Sequence, residues 1–574
     1  MSTAALSPAG AWPRHADTVL TGGTVITMDG SSSLAQAVAI SGGLIHAVGS
    51  SDSLADLVGP STQVAELAGR TVIPGIIDTH AHMDREGLKT LRPSLASART
   101  ISDVLGIVAA AARAAAPGAW IITMPVGQPP FYFGGPLTLA ERRMPSRVEL
   151  DRAAPDHPAC IAAVFTNWGE PPGYTALNSR ALALLGIDRN TQATAEGVEI
   201  ERDPGSGEPT GIIIDRNRRP RADFSLLRGI TGFDFAARVA GLQRSLRAYN
   251  AVGTTSVYEG HGSSPETIAV YRELWQRGQL TVRSHLCVSP TWASVDEGRR
   301  AMRDWLAYAR GRGIGDAYLR VAGVFIGFGG SASAAADSRA ALPNTGWAGF
   351  VEWANSAEDF RTYARIAAEL DLRLHTIVGD HLEDILGIFE EIDALIPLAG
   401  RRWVIEHLKL ITPEQVERIR RLGLVVTTIP VYMIWKNGAA LTRGMDDLDR
   451  YVPHASLLEA GVNVSAGTDN IPYNPFFTLQ TIATRTERKS GAVLGPQQRL
   501  DTLRALRLMT SQAAYVSFEE TCKGSIEVGK FADLAILSAN PLTVPAAELS
   551  DIRVLRTLVG GRVVHSDAST TGAQ

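Results

Sequence analysis

Val72-Ile73-Pro74-Gly75-Ile76-Ile77-Asp78-Thr79-His80-Ala81-His82 is an apolar run that ends in two histidines one residue apart. In a buried strand successive side chains alternate between faces, so His80 and His82 point the same way at its carboxyl end. Neutral imidazole is a common zinc ligand, and two of them side by side make half of a metal site. His-x-His alone is a weak signal, since such pairs are more often surface residues or hydrogen-bonded core histidines. The surroundings strengthen it: Pro74-Gly75 punctuates the entry, and further candidate ligands close later apolar runs.

The chain has 574 residues, 45% hydrophobic and 20% charged, an ordinary globular composition. That length suits a barrel of about 250–400 residues with satellites. A net charge of -4 and the lack of a Lys/Arg block argue against a nucleic-acid partner. Cys160, Cys287 and Cys522 lie far apart, form no CxxC and read as reduced thiols. Met1 to Trp12 lacks a charged segment followed by a long apolar one. No apolar run reaches the roughly 18 residues that span a bilayer. The expectation is a cytoplasmic protein with no membrane partner.

Residues 1–15 are rich in Ala, Ser and Pro and are expected to be flexible. From Thr18 to Gly49, short apolar runs are separated by Gly22-Gly23 and Gly42-Gly43, which is hairpin punctuation. The same texture returns in Gly524 to Leu537, and in Val554 to Val564 around Gly560-Gly561. Two β-rich ends around an α/β centre predict one discontinuous β-sandwich, residues 16–72 with 520–574.

Over 73–519, helical stretches precede short apolar runs. Phe235 to Asn250 precedes Gly253 to Gly260, Ser356 to Leu370 precedes Leu372 to His375, and Pro413 to Leu422 precedes Leu424 to Ile429. Leu319 to Gly327, Trp403 to His407 and Val462 to Asp469 are further runs of this kind. So many helix-then-strand units imply a parallel sheet closed into a distorted (β/α)8 TIM barrel. From about 120 to 225 the alternation lapses into Pro/Gly-rich pieces, which predicts an insertion after the first barrel strand.

Barrel active sites lie where strands end, so polar residues terminating apolar runs are the informative ones. They are His80, His82, Glu259, His375, His407 and Asp469. Any one of these alone is more often structural than catalytic; the set in this order is a different matter.

The order His-x-His, His, His, Asp, with the Pro74–His82 stretch, the opening Gly-rich sheet and Gly524 to Leu534, resembles the amidohydrolase superfamily. Asn178-Ser179-Arg180-Ala181-Leu182, Gly379-Asp380, Ile405-Glu406-His407 and Gly467-Thr468-Asp469 look like its branch of N-substituted formamide deformylases. The resemblance covers nearly the whole chain. It implies that His80, His82 and Asp469 hold one divalent metal, most often zinc. His375 and His407 would hold a second metal, or complete and flank the first. Asp469 would take a proton from a metal-acidified water, whose pKa falls to about 7, and pass it to the leaving amine. A histidine off the metal, His407, would polarise the carbonyl oxygen.

One position departs from that pattern. The branch carries a carboxylated lysine between two metals, and the matching stretch here is Gly323-Val324-Phe325-Ile326-Gly327-Phe328-Gly329-Gly330, with Phe325 at the lysine position. A phenyl ring ligates nothing. Either one metal is held, by His80, His82, His375 and Asp469, or Glu259 replaces the bridge; one metal is the favoured reading. Glu259 as a loop cap or an arginine partner is an equal alternative.

His261 and His285 read by default as hydrogen-bonded histidines near strand ends. Phe131-Tyr132-Phe133, Trp168, Tyr432 and Trp435 are candidates for an apolar substrate wall or for lid packing. Lys409 and Lys436 read as solvated. The expected activity is metal-dependent hydrolysis of a non-peptide C–N bond in a small N-substituted amide with an apolar group, with a homodimer common in the family. The alternatives are a metal-dependent lyase or hydratase, and a non-catalytic binding protein on a degenerate barrel.

Overall fold

The computed structural model describes residues 12–163, 170–218, 221–228, 230, 233–290, 292, 294–329 and 355–567. The chain divides into two compact units, whose described residues fall within Met1–Met83, Ser245–Phe328 and Ala357–Gln574 for one and within Asp84–Arg244 and Gly329–Ser356 for the other. No helix of the described residues is long and apolar enough to cross a membrane.

The first unit holds the barrel. Its strands are β1 (Ile76–Ala81), β2 (Thr254–Glu259), β3 (Arg283–Val288), β4 (Leu319–Phe325), β5 (Leu374–Ile377), β6 (Val404–Glu406), β7 (Val425–Thr428) and β8 (Val464–Ala466). Neighbours pair in parallel in chain order from β1 to β8. Between β1 and β8, Asp469 N donates to His80 O at 2.8 Å, near the strands' carboxyl ends. Further down, Ile77 N donates to Met509 O (2.9 Å) and Ala466 N to Leu508 O (3.0 Å). The backbone at 508–509 thus takes the hydrogen bonds of strands that have splayed, as buried backbone groups require. This is a nearly closed eight-stranded parallel barrel, as the alternation of helix and strand predicts.

The helices carry their own stop and start signals. Pro413–Leu422 begins at Thr412, whose hydroxyl accepts from Gln415 N while the Gln415 side chain accepts from Thr412 N. Pro413 sits where its missing N–H costs nothing. The helix ends at Gly423, in the left-handed region at φ +65°, and buries Val416, Ile419 and Leu422. Inside the barrel, Tyr258, Cys287, Phe325, Val404 and Val425 form one apolar layer. The interior is packed core, and chemistry is confined to its rim.

Both chain ends contribute to small sheets in the same unit. One has the order Leu44–Gly49, Ala37–Ser41, Thr18–Thr21, Gln63–Glu66. The other runs Arg562–Ser566, Val554–Val559, Leu534–Leu537, Thr71–Pro74, Thr24–Ile26, Leu34–Ala35, so the two termini interleave. Leu20, Val38 and Ile40 of the first share a core with Val25, Val72, Leu534 and Leu558 of the second. A buried ion pair ties this layer to the barrel: Arg283 in β3 donates to Asp533 at 2.7 and 3.0 Å and lies 3.8 Å from the Phe531 ring centroid.

The larger segment of the second unit, Asp84–Arg244, falls in sequence between β1 and β2 and contains the stretch that defies the barrel pattern. Its sheet has the order Val198–Arg202, Pro209–Asp215, Gly173–Leu177, Ala159–Ile161, Ile121–Thr123. Period-two alternation sorts its side chains into two cores. Ile122, Cys160, Leu177 and Ile213 join one, and Ile121, Ile161, Ala176 and Ile212 the other. A sheet covered on both faces reads as near-continuous apolar runs.

Candidate active site

Four strand ends converge on one cluster of side chains. His80 comes from β1 and His82 follows it by two residues; His261 comes two residues after β2, His407 directly after β6, and Asp469 three after β8. Nitrogens of His80, His82 and His261 all lie within 4.8 Å of one another, and all three residues are buried. His407 Nε2 is 3.1 Å from His80 Nε2 and 3.3 Å from His261 Nε2. Asp469 Oδ1 is 3.0 Å from His82 Nε2 and 4.0 Å from His80 Nε2.

The backbone is bent to achieve this. His261, His407, Asp469 and Asn470 have φ of +57°, +56°, +55° and +42°. Side chains other than glycine rarely adopt that region, at a cost of order 1–3 kcal/mol each, and such residues cluster at functional sites. Two glycines make room. A Cβ on Gly260 would lie 2.5 Å from the His80 ring, and one on Gly467 would lie 2.4 Å from His80 N.

Below the cluster lie its supports. Asp78 Oδ1 accepts from Thr468 N (2.9 Å) and His80 N (3.2 Å), and Oδ2 accepts from the Thr468 hydroxyl (2.5 Å). Burial pushes its carboxyl up to about 6 against those hydrogen bonds. Glu406 stands between two imidazoles, Oε2 3.6 Å from His80 Nδ1 and Oε1 3.4 Å from His375 Nδ1. Burial pushes it up to about 8, opposed by a hydrogen bond from the His261 backbone N–H. Burial works against the Asp469 carboxylate as well, but the hydrogen bond from His82 and the charges of His82, His80 and His407 hold it well below the usual carboxylate range.

His375 is placed otherwise than as a partner of His80 and His82 in the three-nitrogen group. Its Nε2 meets the Tyr258 hydroxyl at 2.7 Å, and the two rings stack 5.0 Å apart. Burial, with the positive charge of Arg373, holds this imidazole well below its ordinary value, so it is neutral. Glu259 is buried, accepts from Met83 N at 3.0 Å and bonds the Tyr271 hydroxyl. One of its oxygens also comes within 4.8 Å of a His82 nitrogen. Phe325 packs in the apolar layer with Tyr258.

His261, given a bland default from sequence, stands in the cluster instead. Glu406 and Asp78, quoted only as parts of motifs, are its supports. The one sequence signal for His261 is its place in Glu259-Gly260-His261-Gly262, at a strand end and flanked by glycines. His285 stacks on Tyr258 at 4.5 Å. Tyr432 lies with its ring 6.3 Å from that of His407, and Trp435 packs edge-on against Phe477. Lys436 is buried, 5.7 Å from the Tyr432 ring, whereas Lys409 pairs with Asp380 at 2.9 Å. Phe131 and Phe133 stack on each other in the second unit, and Tyr132 is buried there. Trp168 lies outside the described residues.

Convergent imidazole nitrogens with a carboxylate oxygen are the donor set that a zinc-type divalent cation takes, so the residues fit a metal. The sequence profile of the amidohydrolase family matches residues 63–565. The N-substituted formamide deformylase of Arthrobacter pascens is 28% identical over 572 residues, covering 95% of this chain and 97% of that protein. The LONG AFTER FAR-RED 3 protein of Arabidopsis thaliana is 26% identical, covering 96% and 92%. Among solved structures, an uncharacterized metal-dependent hydrolase from Pyrococcus horikoshii superposes with a TM-score of 0.67 at 20% identity, covering 92% of this chain and 99% of that one.

Proposed function

The chain belongs to the amidohydrolase family, and from that premise we propose that it hydrolyses the C–N bond of a small N-substituted amide or formamide bearing an apolar group. The observation that carries this is the convergence of His80, His82 and His261 nitrogens beside the Asp469 carboxylate. These residues would hold one divalent metal, zinc, with His407 against them. When bound, that cation supplies Lewis acidity toward a carbonyl oxygen and toward water.

The chain's own groups do the rest. Asp469, an anion at neutral pH, accepts a proton from the attacking water at a carboxylate oxygen and delivers it to the leaving nitrogen. His407, with Nε2 3.1 Å from His80 Nε2 and 3.3 Å from His261 Nε2, would serve the developing oxyanion as its Nε2–H tautomer. Tyr432 beside His407 offers an apolar face for the substituent. The naming of the Arthrobacter pascens relative supports a formamide as the acyl part. Three free cysteines fit the cytoplasm as its compartment.

A single metal is expected because Phe325 contributes no lone pair and Tyr258 engages His375 Nε2. The test is metal analysis of the purified protein, then product analysis across a panel of formamides and amides. One equivalent of zinc, lost in the His80→Ala/His82→Ala double variant without unfolding, and release of acid plus amine are the expected results. Stoichiometric zinc in the double variant would place the site elsewhere. Addition to a multiple bond without C–N cleavage would make the enzyme a lyase or hydratase.

A further inference from the structure

The second unit carries a cavity of about 570 Å³ between the turn Gly135–Thr138, the helix Arg147–Ala153 and the strands Gly173–Leu177 and Pro209–Asp215. It shares no residue with the histidine cluster. The local pattern explains its apolar lining. Leu139, Met144 and Leu150 enter the core on one face of the five-stranded sheet, together with Ile212. Leu137 and Val148, each two residues from one of these, stay out of that core and are 55% and 50% exposed. Both line the cavity with Tyr174 and Ile212. Exposed large apolar side chains that converge on one concavity mark a place for an apolar ligand group.

The charges around it are unbalanced in one sense. Arg142, Arg143 and Arg152 line the cavity against Glu149 and Glu201. Arg143 and Glu149 satisfy each other through two bonds of 2.8 and 2.9 Å, and Glu149 also caps the helix at Ser146. Glu201 accepts from the Thr210 hydroxyl at 2.5 Å. The guanidinium groups of Arg142 and Arg152 make no ion pair or hydrogen bond among the described residues. Arg142 stands at φ +54°, a region that favours glycine, so its long cationic side chain is kept there at a cost.

We propose that this cavity binds a small organic carboxylate with an apolar body: Arg142 and Arg152 take the carboxylate, and Leu137, Val148, Tyr174 and Ile212 take the body. A guanidinium offers a planar fork of donors that matches carboxylate oxygens. An anion is favoured over a cation because the cavity's carboxylates are engaged and its spare groups can only donate. The volume lies within the roughly 300–1,000 Å³ usual for small-molecule sites. The site stands whether or not the barrel holds a metal.

The test is calorimetric titration of the full-length protein with hydrocinnamate, and with hydrocinnamyl alcohol as its neutral counterpart. Hydrocinnamate should bind saturably at one site, and the alcohol about tenfold more weakly or worse, the scale of a lost charge-assisted hydrogen bond. Arg142→Gln/Arg152→Gln should weaken hydrocinnamate by about tenfold or more and leave the alcohol within about threefold. Val148→Asp puts a like charge beside the carboxylate's body and should also abolish its binding. The His80→Ala/His82→Ala variant should bind hydrocinnamate as the wild type does. Loss of binding in that variant would place the probe at the histidine cluster and overturn the proposal. Absence of saturable binding, or unchanged affinity in the arginine variant, would overturn it as well. Both arginines are exposed, so their replacement should not alter the melting temperature. If the arginine variant does not fold, Val148→Asp decides: lost affinity supports the site and retained affinity refutes it.

Discussion

Asp469 Oδ1 lies 3.0 Å from His82 Nε2, so the last barrel strand and the first meet at a charge-assisted contact. Asp469 N also donates to His80 O at 2.8 Å. The carboxylate proposed to move the proton is therefore part of the seam that closes the barrel, and its orientation is fixed from both sides.

Asp469→Asn keeps the shape and one oxygen but cannot take a proton from water. Turnover per bound metal should fall by about 100-fold or more. Unchanged turnover would remove Asp469 from the reaction.

Glu259→Gln addresses metal count. Glu259 accepts the Met83 N–H at 3.0 Å and bonds Tyr271, duties that a neutral amide can share. Metal analysis should find one equivalent in the variant, as in the wild type. A fall from two equivalents to one or none would make Glu259 the bridge that Phe325 cannot be.

Arg283→Ala leaves Asp533 buried without its bidentate partner. Removing one member of a buried pair costs about 3–5 kcal/mol, to be read from denaturant midpoints. Arg283→Lys should recover only part of that loss, because an ammonium cannot make the two parallel bonds.

His454 gives the pH dependence of stability. It is fully buried, with Nε2 2.9 Å from the Thr428 hydroxyl, and burial with the charge of Arg485 lowers its pKa from 6.5 to about 3. The unfolded chain binds a proton below 6.5 that the folded chain refuses until about 3. Stability present above 6.5 is therefore lost as pH falls through that window, at about 1.4 kcal/mol per unit. His454→Gln, which cannot titrate, should flatten this limb in urea titrations between pH 4 and 6.5. An identical slope would assign the acid sensitivity to other groups.

Glu406 and His407 are adjacent, and a regular strand would send them to opposite faces. The sequence therefore offers only one of them to the barrel interior. The left-handed turn at His407 keeps both at the site, and such a turn follows from what packs around it, which no local pattern records. His261 is hidden in the same way, two residues past Glu259 on a turn that re-aims it.

What the chain alone determines is whatever rests on short-range periodicity. His80 and His82 share a face because they are two apart on one strand. The barrel follows from helices that precede apolar runs, and the interleaved termini from glycine-paired β segments at both ends. What only the tertiary structure decides is which polar atoms meet across the barrel. Asp78 with Thr468 and Glu406 with His80 are separated by more than half of the chain, and Tyr258 with His375 by 117 residues. Each pairing is set by strand register and barrel closure, which depend on every strand between the partners.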